Sequence, residues 1–249
     1  MKKIFALLLV VVSAFGVEAQ SIFNNPDNEG YWGVRASLDL TVPSKSRVST
    51  PDGKISRSMC EYEPFVGLSI GGIYNFPLVA NLYLEPGLSL YYNNMLISED
   101  AIDSYIPYAY YHDVKITDRT IRKTGMRIPI SIGYHFDFTP DVSMSVFTGP
   151  VFDLGFTMYY HITVDNNIVP DSYSKSLYKA KTFNTGDSFN RMNLDWRVGV
   201  GVNYRKYEIS LSWNQALTNS FGVAKKNKND YRISLYENYL QLSFGLNFY

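Results

Sequence analysis

The sequence predicts an all-β fold: an eight-stranded antiparallel up-and-down transmembrane β-barrel with four long outer loops and three short periplasmic turns. Eight segments alternate apolar and polar residues with the two-residue period of a strand. Their apolar faces are bulky and their other faces small and polar, which is typical of strands between lipid and a hydrated interior. The connections alternate long and short, as expected when antiparallel strands cross a membrane with turns on one side and loops on the other.

The predicted strands and their connections follow in chain order. The strands are residues 31–41, 62–76, 82–92, 125–136, 142–156, 193–204, 207–216 and 238–249. The long polar loops are residues 42–61, 93–124, 157–192 and 217–237, and the short turns are residues 77–81, 137–141 and 205–206.

The amino terminus is typical of a secretory signal peptide. Lys2 and Lys3 precede an apolar core, and Val17-Glu18-Ala19 is a small-residue cleavage site that places the mature start at Gln20. The apolar core is too short to span a bilayer, although a retained anchor is the alternative. We therefore predict three regions, namely a signal peptide at 1–19, a short periplasmic lead at 20–30 and the barrel at 31–249.

Composition narrows the class of protein. Aromatic residues make up 16% of the chain, which suits strands and interfacial belts. Charged residues make up only 18% with no net charge, so nucleic acid is not an expected partner. No later segment is apolar enough for a membrane helix, so a membrane role has to come from strands. The sole cysteine, Cys60, cannot form an intrachain disulfide, and a free thiol and an intermolecular bond both remain open.

Strands one and two carry the pattern first. Strand one places bulky residues from Trp32 onward on its outer face, with Arg35 and Asp39 on its inner face. Strand two ends its outer face on Tyr74 and Phe76 and has mostly glycine and serine inside. Both strands therefore have the apolar-out pattern expected in lipid.

Strands three and four repeat the apolar-out, polar-in pattern. Strand three has an outer row that ends at Tyr92 and an inner row with Glu85. Strand four has an outer row of methionine, isoleucine and aromatic residues, with Arg127 and His135 on its inner row.

Strands five to eight complete the ring. Their inner rows hold Asp153 on strand five, Asp195 and Arg197 on strand six, and Glu208 on strand seven. Strand eight has an outer row of Leu and Phe that ends at Phe248, and we expect it to pair with strand one. An even number of strands closes the sheet, which leaves no unsatisfied edge in hydrocarbon.

Nine inward ionisable residues form a predicted interior polar network. An eight-stranded barrel is narrow enough for side chains to fill it, and buried charges must be paired. We therefore expect the charges to pair and plug the lumen, with a narrow ion or solute path as the alternative. The nine are Arg35, Asp39, Glu85, Arg127, His135, Asp153, Asp195, Arg197 and Glu208.

Twelve outward aromatic residues form a predicted girdle at the two membrane interfaces. A soluble sandwich or a lipocalin-like barrel, the alternative folds, would give no reason for two belts. The lower-rim residues are Trp32, Tyr74, Phe76, Tyr134, Phe136, Tyr204, Tyr207 and Phe248, and the upper-rim residues are Tyr92, Phe156, Trp196 and Trp213.

Five short segments resemble the PorT-like outer-membrane β-barrel proteins of Bacteroidota. They are Leu82-Tyr-Leu-Glu-Pro-Gly-Leu-Ser-Leu90, Arg127-Ile-Pro-Ile-Ser-Ile-Gly-Tyr134, Thr148-Gly-Pro150, Asp195-Trp-Arg-Val-Gly-Val-Gly-Val202 and Gln215-Ala-Leu-Thr-Asn219. The resemblance implies an outer-membrane barrel with outside loops. Founding members are tied to a secretion and gliding machinery, and the family pattern defines no catalytic residues.

The pattern predicts no catalytic, cofactor-binding or metal-binding residues. An envelope lipid-modifying enzyme is the sharpest alternative, with His135 as base, Ser131 on the same face, and Asp153 or Glu208 near it. However, His135 lies beside the turn after strand four, whereas outer-leaflet lipid chemistry needs the opposite rim. The other histidines lack metal-ligand spacing.

We expect an integral protein of the cell outer membrane, non-enzymatic, with surface loops for binding or envelope stabilisation. Binding residues concentrate on loops, and the exposed tyrosines of these loops suit a protein or glycan ligand. The other expected partners are outer-membrane lipid and lipopolysaccharide and the barrel-assembly machinery, with no cofactor. An assembly component of a protein-secretion apparatus is the second hypothesis.

Overall fold

The computed structural model describes residues 30–43, 47–49, 56–58, 62–63, 65–97, 115–165, 171–176, 188–222 and 232–248. The predicted signal peptide, all of the predicted lead except Gly30, Cys60 and Tyr249 lie outside the described residues. The eight long strands are β1 Tyr31–Pro43, β2 Phe65–Pro77, β3 Leu82–Ile97, β4 Lys115–Thr139, β5 Val142–Asp165, β6 Met192–Tyr204, β7 Tyr207–Ala216 and β8 Glu237–Phe248.

The eight strands close into one antiparallel barrel. Each strand pairs with its neighbours in the chain, and β8 pairs with β1 from Trp32 opposite Phe248 to Pro43 opposite Glu237. The eight-stranded up-and-down prediction, including the closure of strand eight on strand one, is confirmed. Closure leaves no free edge among these strands, so the ring satisfies its own backbone hydrogen bonds.

The two faces of the wall have the predicted polarity. Trp32 and Ile70 on the outer face are 66% and 61% exposed, whereas Ser212 and Asn214 on the inner face are buried. Apolar groups therefore face outward and polar groups inward, the reverse of a water-soluble sheet. Within the described ranges, no helix has the length and apolarity needed to cross a membrane.

Two of the predicted loops, 93–124 and 157–192, are wrong in extent. β3 continues to Ile97, β4 already begins at Lys115, and β5 continues to Asp165. The predicted strands end where the outer row stops being continuously apolar, and polar residues occur on both faces beyond those points. The backbone ladder continues there without such a row, because its hydrogen bonds do not depend on side-chain polarity.

Short strands also occur in the predicted loops and at the start of the predicted strand 62–76. Asp171–Ser176 pairs with β5, Tyr62–Glu63 pairs with β3, Ser188–Phe189 pairs with Phe221–Gly222, and Arg47–Ser49 pairs with both Ser56–Ser58 and Arg232–Ser234. The strand predicted from residue 62 is therefore divided, and its barrel part begins at Phe65.

A β-bulge marks the start of the extension of β4 and β5 beyond the ring. Thr124 lies opposite Thr157 and the next residue, Gly125, lies opposite Gly155, so Phe156 is the extra residue. Bulges bend a strand and increase its twist. Beyond Phe156, β5 continues for nine residues to Asp165, a path of about 30 Å along the strand.

Candidate functional site in the barrel lumen

The lumen has two ends, a turn end with the three short turns and a loop end. Near the turn end, Arg35 Nη2 donates to Glu208 Oε2 at 2.5 Å and Nη1 donates to Asn247 Oδ1 at 2.7 Å. Glu85 Oε2 lies 4.0 Å from Arg35 Nη2. The side chain of Arg35 lies so close to Gly245 that a Cβ there would stand 2.6 Å from Nη1. Glycine at this position therefore makes room for the ion pair.

Small hydroxyl side chains fill the middle of the lumen. Ser37 and Ser243 share a hydrogen bond of 2.9 Å, and Ser69 Oγ donates to Asp39 Oδ1 at 3.4 Å. The remaining cavity, between the levels of Arg35 and Arg197, has a volume of about 50 Å³. That space holds little more than one water molecule.

The most enclosed charges lie nearer the loop end. Arg127 Nη1 donates to Asp39 Oδ2 at 2.5 Å, and these side chains are 1% and 0% exposed. The guanidinium carbon of Arg127 lies 4.2 Å from the ring centre of Tyr91 and 4.0 Å from that of Tyr239. Gln241 Nε2 donates to the second carboxylate oxygen of Asp39 at 2.8 Å. Ion pairing and cation–π contact thus compensate the loss of water around both charges.

A second charged cluster, around Lys123, lies next to the Arg127–Asp39 pair on the side of the loop end. Lys123 Nζ donates to Asp153 Oδ2 and to Glu237 Oε2, both at 2.9 Å, and Tyr91 Oη donates to Asp153 Oδ1 at 2.6 Å. Lys123 and Glu237 were missed because both fall in predicted loops. Both lie on the inward rows, two residues before the first inward residue of the predicted strand: Lys123 precedes Gly125 on β4, and Glu237 precedes Tyr239 on β8. Extending each inward row by one position would have identified them.

The pairing prediction is wrong for three of the nine network residues, Arg197, Asp195 and His135, which form no ion pair within the described residues. Arg197 donates from Nε to Asn214 Oδ1 and from Nη2 to Gln241 Oε1, each at 2.9 Å, so its partners are neutral amides. Asp195 is buried and forms no ion pair within the described residues. Across the strands Asp195 faces Ala216 and Val151, which offer no charge.

An apolar cap closes the loop end beyond the charged clusters. It consists of four fully buried side chains on the continued inner rows and the returning loop, Met95, Ile121, Met158 and Leu235. Ile121 lies opposite Met95 in the β3–β4 ladder, and Lys123 lies opposite Met158 in the β4–β5 ladder. The sequence prediction missed the cap because all four members fall in predicted polar loops, Met95 and Ile121 in 93–124, Met158 in 157–192 and Leu235 in 217–237.

The turn end, by contrast, opens into a cavity of about 750 Å³, which we call the vestibule. Its lining includes Tyr31, Asn75, Tyr83, His135, Asp137 and Asn203. The rings of Tyr83 and His135 stack with centres 4.3 Å apart and planes 23° from parallel. Among the described residues, buried apolar side chains thus fill the loop end, whereas the turn end is open.

The proposed catalytic partners of His135 are not all brought together. In the β4–β5 ladder His135 lies opposite Ser145, whereas Asp153 lies opposite Arg127, eight residues away. That separation is roughly 26 Å along the strands, far beyond a hydrogen bond. Among the described residues, His135 Nδ1 has no hydrogen-bond partner, and no group of His, Cys, Asp or Glu is arranged to hold a metal ion.

The twelve girdle residues all lie on the outer face, exposed or half-buried. At the turn end, the ring centres of Trp32 and Tyr74 are 4.6 Å apart and those of Tyr134 and Phe136 are 4.7 Å apart, with edge-to-face geometry. Toward the loop end, Trp196 Nε1 donates to Thr148 Oγ1 at 2.9 Å. Aromatic rings with a polar edge suit the lipid–water interface.

A family model supports the membrane interpretation of this geometry. The model described as "Outer membrane protein beta-barrel domain" matches residues 15–222, most of the chain. Among curated proteins, none matches the chain.

Solved structures of outer-membrane proteins are similar to the chain at low sequence identity. Ail of Yersinia pestis, in complex with the heparin analogue sucrose octasulfate, is 14% identical with a TM-score of 0.34, over 88% of this chain and 99% of that one. Neisserial surface protein A is 12% identical with a TM-score of 0.36, over 87% and 97%. The amino-terminal β-barrel domain of Pseudomonas aeruginosa OprF is 14% identical with a TM-score of 0.31, over 88% and 100%.

Proposed function

The chain belongs to the family defined by the outer membrane protein β-barrel domain, and from this premise we propose that it is a non-enzymatic barrel that presents a binding surface on its outer loops. The protein is integral to the outer membrane. The three short turns then face the periplasm and the loop end faces the outside. Stabilisation of the envelope by the same loops is the related proposal.

The extended hairpin of β4 and β5 carries this proposal. Both strands continue past the bulge at Phe156, and Asp171–Ser176 pairs along β5 there. The barrel therefore continues into a hydrogen-bonded sheet of about 30 Å along the strands. A sheet of this kind supports the connecting loops at a distance from the bilayer, as a binding scaffold requires.

The filled lumen supports an anchoring role rather than transport. A solute would have to pass the apolar cap, the Lys123 cluster, the Arg127–Asp39 pair and the Arg35–Glu208 pair in succession. Each layer consists of buried or nearly buried side chains, and separating the ion pairs would leave their charges unpaired.

The test shortens the hairpin and leaves the barrel intact. The variant lacks residues 115–119 of β4 and residues 162–165 of β5, which are partners in the ladder. Cells with the full-length or the shortened protein are applied to a glycan array and to immobilised extracellular proteins, and envelope integrity is followed by detergent sensitivity. We expect the shortened protein to reach the membrane and lose binding or detergent resistance.

Heat-modifiable gel migration controls for folding in this experiment. Equal binding and equal detergent resistance in the two strains would overturn the proposal, provided that the shortened barrel shows the same migration shift. If the protein fractionates as soluble and shows no migration shift, the interpretation as a membrane barrel is wrong.

The non-enzymatic part of the proposal is supported by the separation of His135 from Asp153 and by the position of His135 at the periplasmic end. Altered lipid A turnover in a His135→Ala strain would contradict it. An unchanged lipid A profile, with the wild-type protein present at the same level, is the expected result.

The resemblance to PorT-like proteins, which is narrower than the matched family, supports a second proposal. In that proposal the chain is an assembly component of a protein-secretion apparatus. Deletion of the gene separates the two proposals, because loss of secreted cargo favours export and an unchanged secretome excludes it. Under both proposals, lipopolysaccharide and the barrel-assembly machinery are proposed partners of the chain.

A further inference from the structure

A groove interrupts the outer wall of the barrel across β8, β1, β2 and β3. Its recess is at Ala36, the smallest residue of the outer row of β1, which lies opposite Phe244 of β8 and Ile70 of β2. The groove has a volume of about 720 Å³, and its other outward residues are Leu38, Leu68, Leu90 and Tyr92. All of these outward side chains are exposed, so a molecule in the bilayer can reach every one of them.

The groove lies in the half of the wall that faces the outer leaflet. Ala36 is the third of five residues in the outer row from Trp32 at the turn-end girdle to Leu40. Tyr92, at the other end of the groove, belongs to the loop-end girdle, and the loop end faces the outside. The groove therefore runs from about the middle of the bilayer to its outer interface.

The shape and chemistry of the groove favour a single flexible hydrocarbon chain. Two barrels are both convex, so a second copy would bridge the recess at Ala36 and leave a gap, and atoms that face a gap lose their dispersion contacts. A narrow acyl chain fills the recess and finds apolar side chains along it. Lipid tails are as apolar as this lining, so packing, rather than transfer out of water, provides the preference.

A basic side chain lies at the outer end of the groove. Thr124 of β4 lies opposite Tyr92, and Arg122, the next residue of the same outer row, lies opposite Asn94. Arg122 is exposed and stands about 7 Å further along the strand than Thr124, which is the level of the lipid head groups. A guanidinium suits a phosphate, because it presents paired N–H donors to the phosphate oxygens.

We propose that the groove and Arg122 form a binding site for one molecule of lipid A, the phosphorylated membrane anchor of lipopolysaccharide. One acyl chain packs against Ala36 between Phe244 and Leu90, and a head-group phosphate accepts hydrogen bonds from Arg122. The site lies on the lipid-facing wall, so it is separate from the outer loops that carry the proposed function.

The experiment places the full-length mature protein in phosphatidylcholine nanodiscs with increasing amounts of bisphosphorylated lipid A and counts the retained lipid by native mass spectrometry. We expect saturable retention by the wild type. In Ala36→Phe, which fills the recess, and in Arg122→Gln, half-saturation should need about three-fold more lipid A, since each variant loses one packing or head-group contact. Ala36→Leu, a smaller filling change, serves if the phenylalanine variant does not fold, as judged by heat-modifiable migration.

Matched controls make the same changes away from the site. Val200→Phe adds a ring to an exposed outer position of β6, and Arg205→Gln removes an exposed guanidinium at the turn end. Both should retain lipid A like the wild type. The protein with the shortened hairpin keeps the groove and Arg122, so it should also bind lipid A, and the two proposals fail independently.

Four results would overturn this proposal. They are no saturable retention of lipid A by the wild type, equal retention by the filled-groove variants and Val200→Phe, and equal retention of lipid A stripped of its phosphates. The fourth is a wild-type dimer that separates into monomers in Ala36→Phe, because a second copy would then be the occupant of the groove.

Discussion

Arg127 and Asp39 form an ion pair of 2.5 Å between β4 and β1, inside the barrel and almost completely enclosed. The pair crosses the lumen, because neither strand is a neighbour of the other in the ring. Asp39→Ala leaves the charge of Arg127 without its carboxylate, which we expect to lower the free energy of unfolding by about 3–5 kcal/mol. Urea unfolding in micelles, followed by tryptophan fluorescence, measures the change.

The control for this prediction is an exposed ion pair of the same type. Arg205 and Asp141 lie 3.2 Å apart with side chains more than half exposed, so Arg205→Ala should cost about 1 kcal/mol or less. Similar losses in the two variants would show that the buried pair contributes no more than a surface pair.

Different access from the two ends of the lumen is a second prediction. In a Cys60→Ser background, Ser143→Cys places a thiol in the vestibule and Ser212→Cys places one at the middle of the lumen. We expect a water-soluble methanethiosulfonate reagent to modify the first at least about ten-fold faster, because thiol modification requires access. Comparable rates would mean that the lumen is open through its middle layers.

Close contact between β4 and β5 predicts an effect of glycine replacement. A Cβ at Gly149 would collide with the carbonyl oxygen of Ile130, a backbone atom that cannot move aside, whereas a Cβ at Gly72 would meet only the Gly33 carbonyl at 3.7 Å. We therefore expect Gly149→Ala to destabilise the barrel by roughly 1–3 kcal/mol or to prevent folding. Gly72→Ala should be tolerated, and a large effect there would contradict the inferred packing.

The turn between β2 and β3 contains a strained alanine. Ala80 has a φ of 55° and Asn81 a φ of 62°, and Leu82 N donates to Val79 O at 3.2 Å across the turn. Glycine adopts this backbone region without a steric penalty, so Ala80→Gly should stabilise the barrel by up to about 1 kcal/mol. The matched change on a strand, Ala36→Gly, should destabilise it by about 0.5–1 kcal/mol, and urea midpoints of both variants test the difference.

The carboxy-terminal aromatic residues give the last prediction. Phe248 lies on the outer face, 51% exposed and opposite Trp32, at the point where the ring closes. We expect Phe248→Ser to reduce the heat-modifiable fraction in outer-membrane preparations more than Tyr249→Ser does. The reverse order would mean that the assembly signal lies one residue later than the outward row indicates.

The number of strands, the face of each strand that points outward and the closure of the barrel could be predicted, because every strand that crosses the bilayer needs a bulky apolar row toward the lipid. The same criterion explains what was missed. Lys123, Glu237 and the apolar cap lie where strands continue without a lipid-facing row, so alternation no longer indicates them. Arg197 shows a different limit. Asn214 lies directly opposite it on the neighbouring strand, whereas its second amide partner, Gln241, lies on β8, which does not neighbour β6, so this contact depends on which inner rows meet across the lumen. That arrangement depends on the stagger between strands, which a single sequence does not specify.

The seam between β1 and β8 has a kinetic consequence. Leu40 lies opposite Leu240, two hundred residues later in the chain, so the contact that seals the ring is among the most distant in sequence. Until β8 arrives, the growing sheet has two edges whose amides and carbonyls find no partner in hydrocarbon. Partial barrels are therefore not stable stopping points in the bilayer. The chain must reach the membrane with its last strand already synthesised, and its folding rate is limited by bringing its two ends together.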